Sequence, residues 1–170
     1  MNTKFCLLVC AALPLAIQLF AAGGGPRYAS AKIDANGRLY LVTSTGTEVH
    51  APKLKGQTHF EQVEIAEDAR TVGWLADYPD PTVTYNKGAM LAGNLVVFRN
   101  GRILHVFDTE QVFWGWAFRS AGAQIAYCTG PTHGGAAECL LRRVDSGAVM
   151  ERWVVKGDGT PPAWVHDLRY

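Results

Sequence analysis

The sequence predicts an all-β domain built of antiparallel β-meanders, and two patterns support this fold class. Beyond an apolar N-terminal segment, the 3.6-residue periodicity of amphipathic helices is nearly absent. Short runs of β-branched, aromatic and aliphatic residues recur instead, each bounded by Gly, Asn, Asp or Pro. Predicted strands occupy residues 30–33, 38–43, 62–66, 71–76, 94–99, 102–107, 112–118, 124–128, 139–145 and 149–155. Asn100-Gly101 and Ser146-Gly147 fall between strands, where tight turns favour residues that tolerate positive φ.

The N-terminus has the composition of a cleavable signal peptide, which we expect to span residues 1–22. Lys4 is the only early charge, residues 5–20 are apolar, and small residues occupy 21–23. The apolar stretch is shorter than the roughly 20 residues of a membrane-spanning helix, and no second long apolar run follows. We therefore expect an exported protein, periplasmic or extracellular, with no integral membrane segment after cleavage.

A lipid anchor is the alternative fate of this segment. Residues 7–10 resemble a lipoprotein cleavage box that ends at Cys10. The bulky Val9 before the cysteine and the short apolar region disfavour that interpretation. The sequence alone leaves open whether Cys10 is lipidated.

Residues 23–170 are predicted to form one domain, because their number suits a single core and no linker or low-complexity run divides them. The chain has 16 Lys and Arg against 15 Asp and Glu. Since Lys4 leaves with the signal peptide, the remaining charges balance, and they are scattered. We expect neither a nucleic-acid partner nor an anionic-membrane surface.

Two cysteines remain after cleavage, Cys128 and Cys139. In an oxidising compartment two cysteines predict one disulfide. They end one apolar segment and begin the next, so the bridge would close the base of a hairpin with residues 129–138 as its loop. No Cys-x-x-Cys motif is present, which favours a structural bridge over a redox site.

An internal repeat organises the chain. The second half of the repeat matches at an offset of 46 residues, with residues 99–101 aligned on 145–147. The first half matches at 53 residues, and the difference is a longer loop within residues 77–93. A fainter, truncated copy begins at Ala31. The positions that match in the first half are Val63, Ile65, Val72 and Trp74 in one copy and Trp116, Phe118, Ile125 and Tyr127 in the other.

Each repeat is predicted to form four antiparallel strands, the number that makes up one blade of a β-propeller. The segments IAEDARTVGW at 65–74 and FRSAGAQIAY at 118–127 resemble the WD40-like, TolB-type propeller repeat. That repeat usually has an aromatic residue, a Ser-Pro-Asp-Gly turn and an apolar pair; here both copies lack the Pro, and only the second keeps the Gly. The chain also looks like a group of uncharacterised secreted bacterial proteins with such repeats, which implies a fold and no activity.

The chain length limits how many blades can form. A closed propeller needs at least four blades of about 40 residues each, more than residues 23–170 supply in full. We therefore expect a monomeric, partial propeller-like domain of two or three sheets. The alternatives are a twisted β-sandwich and a ring completed by oligomerisation.

The aromatic run at 112–118 is the first candidate binding element. Strand alternation puts Trp114, Trp116 and Phe118 on one face. Because Trp116 and Phe118 hold core positions of the repeat, a buried strand is the simpler interpretation of the run. Trp114 is left as the residue able to stack on a sugar or peptide.

The longest irregular connections, residues 77–91 and 129–138, are predicted to form a rim at the same edge of neighbouring sheets. Tyr78 lies in the first, within a Pro-rich stretch whose two aspartates suggest calcium or acid–base chemistry but more simply a rigid, solvated loop. His133 lies in the second, in a His-Gly-Gly segment similar to an esterase oxyanion loop. No Gly-x-Ser-x-Gly elbow accompanies it, which favours a flexible tip.

The C-terminal residues 161–168 combine prolines with an apolar segment. Trp164 and Leu168 are four apart, so they would share one face of a short helical turn packed over an open sheet edge. A tail that binds a partner is the alternative.

These patterns favour a non-enzymatic binding or scaffold module for an unknown protein, peptide or glycan, with no cofactor. The five histidines have no metal-ligand spacing, so no metal site is predicted. A hydrolase of envelope polymers is the second class, and it would need a buried carboxylate of raised pKa beside His105 or His133. A structural subunit that completes a ring through its sheet edges is the third.

Overall fold

The computed structural model describes residues 24–80, 90–131, 136–155 and 159–168, and the expected signal peptide lies outside these ranges. Within them the chain forms strands and one short helix. The strands are β1 (Tyr28–Ile33), β2 (Leu39–Thr43), β3 (Glu48–His50), β4 (His59–Ile65), β5 (Thr71–Pro79), β6 (Met90–Arg99), β7 (Arg102–Asp108), β8 (Val112–Arg119), β9 (Gln124–Gly130), β10 (Glu138–Arg143) and β11 (Val149–Val154), and the helix is α1 (Ala163–His166).

The strands form three antiparallel sheets, and the neighbours in each sheet follow chain order. Sheet A is β1-β2-β3, sheet B is β4-β5-β6-β7, and sheet C is β8-β9-β10-β11. None of the three closes into a barrel. The predicted all-β class and its meander connections are therefore confirmed.

The sheets stack face to face, with a layer of apolar side chains between each pair. Sheet B is central, so its strand β5 is buried on both faces and reads as a nearly continuous apolar run. Trp74 points toward sheet A, while Leu75 points toward sheet C. The layer between A and B includes Tyr28, Leu39, Leu41, Phe60, Val72, Trp74 and Phe98. The layer between B and C includes Leu75, Leu95, Val97, Phe113, Trp116, Ile125 and Tyr127.

Close approach of sheets B and C depends on Gly73 in β5. A Cβ at this position would lie 2.5 Å from the Trp116 ring. The absence of a side chain lets the indole of Trp116 sit flat against the backbone of β5. Trp116 is only 1% exposed as a result.

The hairpin turn between β6 and β7 follows from its residues. Asn100 and Gly101 have φ of 54° and 79°, the left-handed values that the two central residues of a tight hairpin turn require. Asn and Gly tolerate this conformation best, so this predicted turn is confirmed.

Several strand boundaries differ from the sequence-based prediction, among them those of β4, β5 and β6. Strand β5 runs on to Pro79 and β6 starts at Met90, so the pairs Asp77–Ala92, Tyr78–Leu91 and Pro79–Met90 extend the ladder beyond a bulge. The bulge absorbs the extra residue and lets pairing continue into what was predicted to be loop. Asp77 and Tyr78 therefore lie on a strand, and the prediction of a solvated loop is wrong for Asp77, which is buried. The prediction also missed β3, a strand of only three residues.

The outer face of sheet C is covered by the C-terminal segment, whereas the outer face of sheet A is polar. Helix α1 and the residues around it pack on sheet C through Trp164, Val165 and Leu168. The sequence analysis predicted that this segment packs over the edge of a sheet. It packs on the outer face of sheet C instead, because that face is apolar around Ala117 and Leu141. Sheet A carries polar groups on its outer face, including a Lys32–Glu48 ion pair and a contact between the tilted rings of Tyr40 and His50.

Cys128 and Cys139 form a disulfide across the directly paired strands β9 and β10. Their Cα atoms are 4.0 Å apart. The predicted bridge is therefore present, and it lies within the strands rather than at the base of their loop.

Candidate functional site

A β-bulge determines where Trp114 points. Phe113 pairs with Thr129 and Gly115 pairs with Cys128, which leaves Trp114 as the extra residue in β8. A bulge breaks the two-residue alternation, so Trp114 and Trp116 lie on opposite faces of sheet C. The expectation that they share a face is wrong. Phe113 takes the inner position beside Trp116 instead, and Trp114 is presented on the outer face.

Trp114 forms one wall of a cavity of about 370 Å³ on the outer face of sheet C. The floor is the disulfide, and the C-terminal segment forms the opposite wall. A volume of this size suits a small ligand or a single large side chain. The lining residues are Trp114, Cys128, Ala137, Cys139, Trp153, Val155, Pro161, Val165 and His166. We call this cavity the aromatic pocket.

The position of the Trp114 ring depends on Gly130 at the end of β9. A Cβ on Gly130 would lie 2.4 Å from the indole, so only glycine lets the ring lie against this strand. Trp114 remains half-buried there, with part of its ring open to the cavity. Gly130 is thus as much a determinant of the pocket as the tryptophan.

Polar contacts hold the C-terminal wall in place. The indole Nε1 of Trp164 donates a hydrogen bond to Glu151 Oε2 at 2.6 Å. Asp167 forms an ion pair with Arg119 at the end of β8. These contacts lie outside the cavity, whose lining among the described residues is mostly apolar, with His166 as the one ionisable side chain. The described part of the pocket therefore offers shape and apolar contact, with an imidazole at its exposed side.

A second cavity, of about 400 Å³, lies at the rim and is more polar. It is formed by the end of β5, the start of β6, the turn between β7 and β8, and Pro131 after β9. Tyr78 and Leu91 contribute apolar surface, and Glu110 and Gln111 contribute hydrogen-bonding groups. Both predicted rim segments thus reach one cleft, here called the rim cleft. Residues 81–89 and His133 lie outside the described residues.

The sequence-predicted binding residues divide between these two cavities. Trp114 lines the aromatic pocket and Tyr78 lines the rim cleft. The cavities share no lining residue but are neighbours, because Gly130 packs under Trp114 and the next residue, Pro131, lines the rim cleft.

Asp77 is a strongly perturbed carboxyl group at this end of the domain. It is 2% exposed, and its Oδ1 has no hydrogen-bond partner among the described residues. Burial, reinforced by the negative charge of Glu61, raises the pKa of Asp77 to about 6. Its Cα partner across the ladder is His59, whereas His105 lies on β7, two strands away.

The described residues contain no cluster of three or more His, Cys, Asp or Glu side chains able to hold a metal ion. In the same ranges, no helix has the length and apolar character needed to cross a bilayer.

Sequence reasoning missed most of the aromatic pocket. The sequence placed Trp153 only within the predicted strand at 149–155, and Pro161 only in the C-terminal segment expected to dock on the domain. The sequence feature that could have pointed to the pocket is the C-terminal segment 161–168, since a short apolar segment after two prolines packs on an exposed apolar face. No sequence pattern marks the bulge that turns Trp114 toward this face.

Comparison with known proteins yields no relative of this chain: no protein-family profile matches it, and no curated protein matches it either.

Proposed function

We propose that this chain is an exported, non-enzymatic binding module that captures an apolar side chain of a peptide or protein in the aromatic pocket. The observation that carries the proposal is the pocket itself, in which two half-buried indoles and a proline surround an apolar space over the disulfide. Pockets of this kind bind ligands through buried apolar area, with a few polar groups that set orientation.

The lining favours a peptide over a glycan. Sugar recognition combines a stacking ring with several hydrogen-bonding groups that converge on the hydroxyls, because each buried hydroxyl needs a partner. The aromatic pocket offers the stacking rings, Trp114 and Trp153, but among the described residues that line it His166 is the only ionisable side chain. An aromatic or branched aliphatic side chain satisfies such a lining, since it brings no unpaired polar atoms.

The rim cleft extends the proposed site. A peptide whose side chain fills the aromatic pocket can cross the Gly130-Pro131 segment into the rim cleft, where Tyr78, Glu110 and Gln111 offer contacts to its backbone. The bound segment would then be extended, with one apolar anchor and polar contacts beyond it.

The domain itself we propose to be a partial propeller of the WD40-like type. Three stacked meanders in chain order support this over a two-layer sandwich. Val72 and Trp74 pack toward the preceding sheet, as do their repeat equivalents Ile125 and Tyr127. Secretion through residues 1–22 belongs to the same proposal, and a disulfide is compatible with it.

The outer faces of sheets A and C favour a self-contained module over a ring completed by other copies, because neither is an open apolar surface. Sheet C is covered by the chain's own C-terminal segment, and the outer face of sheet A carries the Lys32–Glu48 ion pair. Stacking another sheet there would bury these charges at a cost. The hydrolase alternative has one supporting feature, the raised pKa of Asp77, but that carboxyl group lines neither cavity.

A peptide-display selection on the purified protein, followed by fluorescence titration of the selected peptides, tests the proposal. We expect selected peptides to share one aromatic or branched residue, and Trp114→Ala to weaken their binding at least tenfold. Tyr40→Ala is the matched control, because Tyr40 is a half-buried aromatic residue on the outer face of sheet A, and it should leave binding unchanged. Selection of peptides whose binding is indifferent to Trp114→Ala would reject the pocket as the site.

A further inference from the structure

The disulfide forms the floor of the aromatic pocket, and its two cysteines are linked to both of the tryptophan walls. Cys139 pairs directly with Trp153 across strands β10 and β11. Cys128 pairs with Gly115, the residue that follows Trp114 in β8. The two cysteines also pair with each other across β9 and β10. The bridge therefore lies at the centre of the four-stranded ladder, with one indole wall on each of the outer strands.

Both cysteines are packed into the apolar cluster on the outer face of sheet C. Cys128 is 2% exposed and Cys139 is 1% exposed, and the cluster around them includes Ala126, Leu141 and Val165. Protein interiors are close-packed, so a change in the space that one side chain needs moves its neighbours. The aromatic pocket is open space that adjoins the bridge. A change at the bridge therefore alters the shape of the pocket.

Reduction of the bridge changes the space that the two sulfurs need. Bonded sulfurs lie well inside the separation of about 3.5–4.0 Å that non-bonded heavy atoms prefer. After reduction the two thiols must therefore separate by more than about 1 Å. If they rotate into the pocket, the floor rises. If they push β9 and β10 apart instead, the distance between the Trp114 and Trp153 walls changes.

The reductant in this reaction is a dithiol. One of its thiolates attacks the Sγ of one cysteine, the bond between the two cysteines breaks, and the other cysteine leaves as a thiolate. The second thiol of the reductant then displaces the protein from the mixed disulfide and closes a cyclic disulfide. The protein gains two electrons and two protons, and the dithiol loses the same number. Cys128 and Cys139 end as free thiols.

We propose that the ligand affinity of the aromatic pocket is under redox control: the disulfide form binds an apolar side chain, and reduction of the Cys128–Cys139 bridge releases it. This inference rests on the proposed function of the pocket as a peptide site. A pocket that selects by shape and apolar contact loses affinity when its floor or walls move. Thermodynamic linkage makes the coupling reciprocal, so a bound ligand stabilises the disulfide by the same factor.

Such control fits the compartment proposed for the chain. Disulfides form and persist in oxidising compartments, whereas thiols stay reduced in the cytosol. The pocket would then acquire its affinity only after export, when the bridge has formed. A dithiol reductant outside the cytoplasm would act as the signal that releases the bound segment.

The first arm of the test needs no ligand. The indole N–H resonances of the purified protein are recorded by NMR before and after reduction with dithiothreitol. We expect the Trp114 and Trp153 signals to shift, because both rings wall the pocket above the bridge. Trp74 is buried between sheets A and B, so its signal should stay in place. Loss of the Trp74 signal would show that reduction unfolds the whole domain, and it would overturn a local effect on the pocket.

The second arm measures affinity. N-acetyl-phenylalaninamide is titrated into the oxidised and the reduced protein, with the Trp114 and Trp153 signals as the readout. We expect the reduced protein to bind this probe about tenfold more weakly. The double variant Cys128→Ser, Cys139→Ser is the matched control. It should bind as weakly as the reduced wild type, and dithiothreitol should leave its affinity unchanged.

The outcomes separate this inference from the proposed function. Equal affinity of the oxidised and reduced proteins would overturn redox control and leave the peptide site in place. Absence of binding to the oxidised protein would overturn both. A response of the double serine variant to dithiothreitol would show that the reductant acts elsewhere, and it would also overturn the proposal.

Discussion

Asp77→Asn is the substitution whose effect on stability follows most directly from the structure. Asp77 is 2% exposed, and one of its carboxylate oxygens has no hydrogen-bond partner among the described residues. Burial and the nearby Glu61 charge disfavour its ionised form, so its pKa is raised to about 6. Asparagine has nearly the same shape and no charge, and it therefore removes this penalty.

The size of the effect comes from the two pKa values. The difference between the ordinary 3.8 and about 6 in the folded protein corresponds to about 3 kcal/mol. Because folding raises this pKa, the stabilising contribution is fully present below pH 3.8 and is lost as pH rises through about 6. At about pH 8 the variant should be more stable than the wild type by about 2–3 kcal/mol. At about pH 4 most of this difference should disappear.

The assay is urea unfolding followed by tryptophan fluorescence, without reductant, at intervals between about pH 4 and pH 8. The difference between variant and wild type at each pH is the readout, because other titrating groups cancel in it. Glu67→Gln is the control, since Glu67 is an exposed carboxylate in the turn before β5 and its replacement should change the free energy of unfolding at about pH 8 by less than about 0.5 kcal/mol. A pH-independent difference for Asp77→Asn would refute the assignment of a raised pKa to this residue.

Three further predictions concern the sheets and the pocket. Gly130→Ala places a Cβ 2.4 Å from the Trp114 ring, so we expect a loss of about 1–3 kcal/mol and an altered fluorescence spectrum; an unchanged spectrum would contradict the packing. Replacing Cys128 and Cys139 by serine should lower the free energy of unfolding by about 3 kcal/mol, a loss that reduction of the wild type should reproduce. Arg99→Lys keeps the charge but loses the paired hydrogen bonds to Thr71 in its own sheet and to the Gly122 carbonyl beside sheet C; thermal unfolding should show about 1.5–3 kcal/mol of destabilisation, and unchanged stability would contradict this.

The fold class could be predicted from the sequence because the patterns that indicate strands and turns are local. Turn residues such as Asn100 and Gly101 mark the hairpins, and apolar runs between them mark strands. The disulfide could be predicted for the same reason, since Cys128 and Cys139 flank one predicted loop and lie at directly paired positions of β9 and β10. The extra residue Gly93 forms a bulge in β6, and pairing between β5 and β6 continues past it to Pro79, beyond the point at which the predicted strands end.

The aromatic pocket was harder to predict from the sequence because it depends on contacts between segments that are distant in the chain. Trp114 was selected correctly as a residue left out of the core between sheets B and C, but the face it occupies depends on a one-residue bulge. The opposite wall comes from Pro161 and Val165, which reach the pocket only because the C-terminal segment folds back onto sheet C. Local sequence patterns do not predict contacts between segments so far apart in the chain.

The indole N–H resonances of the five tryptophans test the central claim most directly. N-acetyl-phenylalaninamide, a minimal peptide with one aromatic side chain, is titrated into the protein, and the indole signals are followed by NMR. Trp114 and Trp153 line the aromatic pocket, whereas Trp74 and Trp116 are buried between sheets and serve as internal controls. We predict saturable shifts of the Trp114 and Trp153 signals, with the Trp74 and Trp116 signals unchanged. Shifts spread equally over all of them, or no shifts at millimolar probe, would contradict a peptide-binding pocket on sheet C.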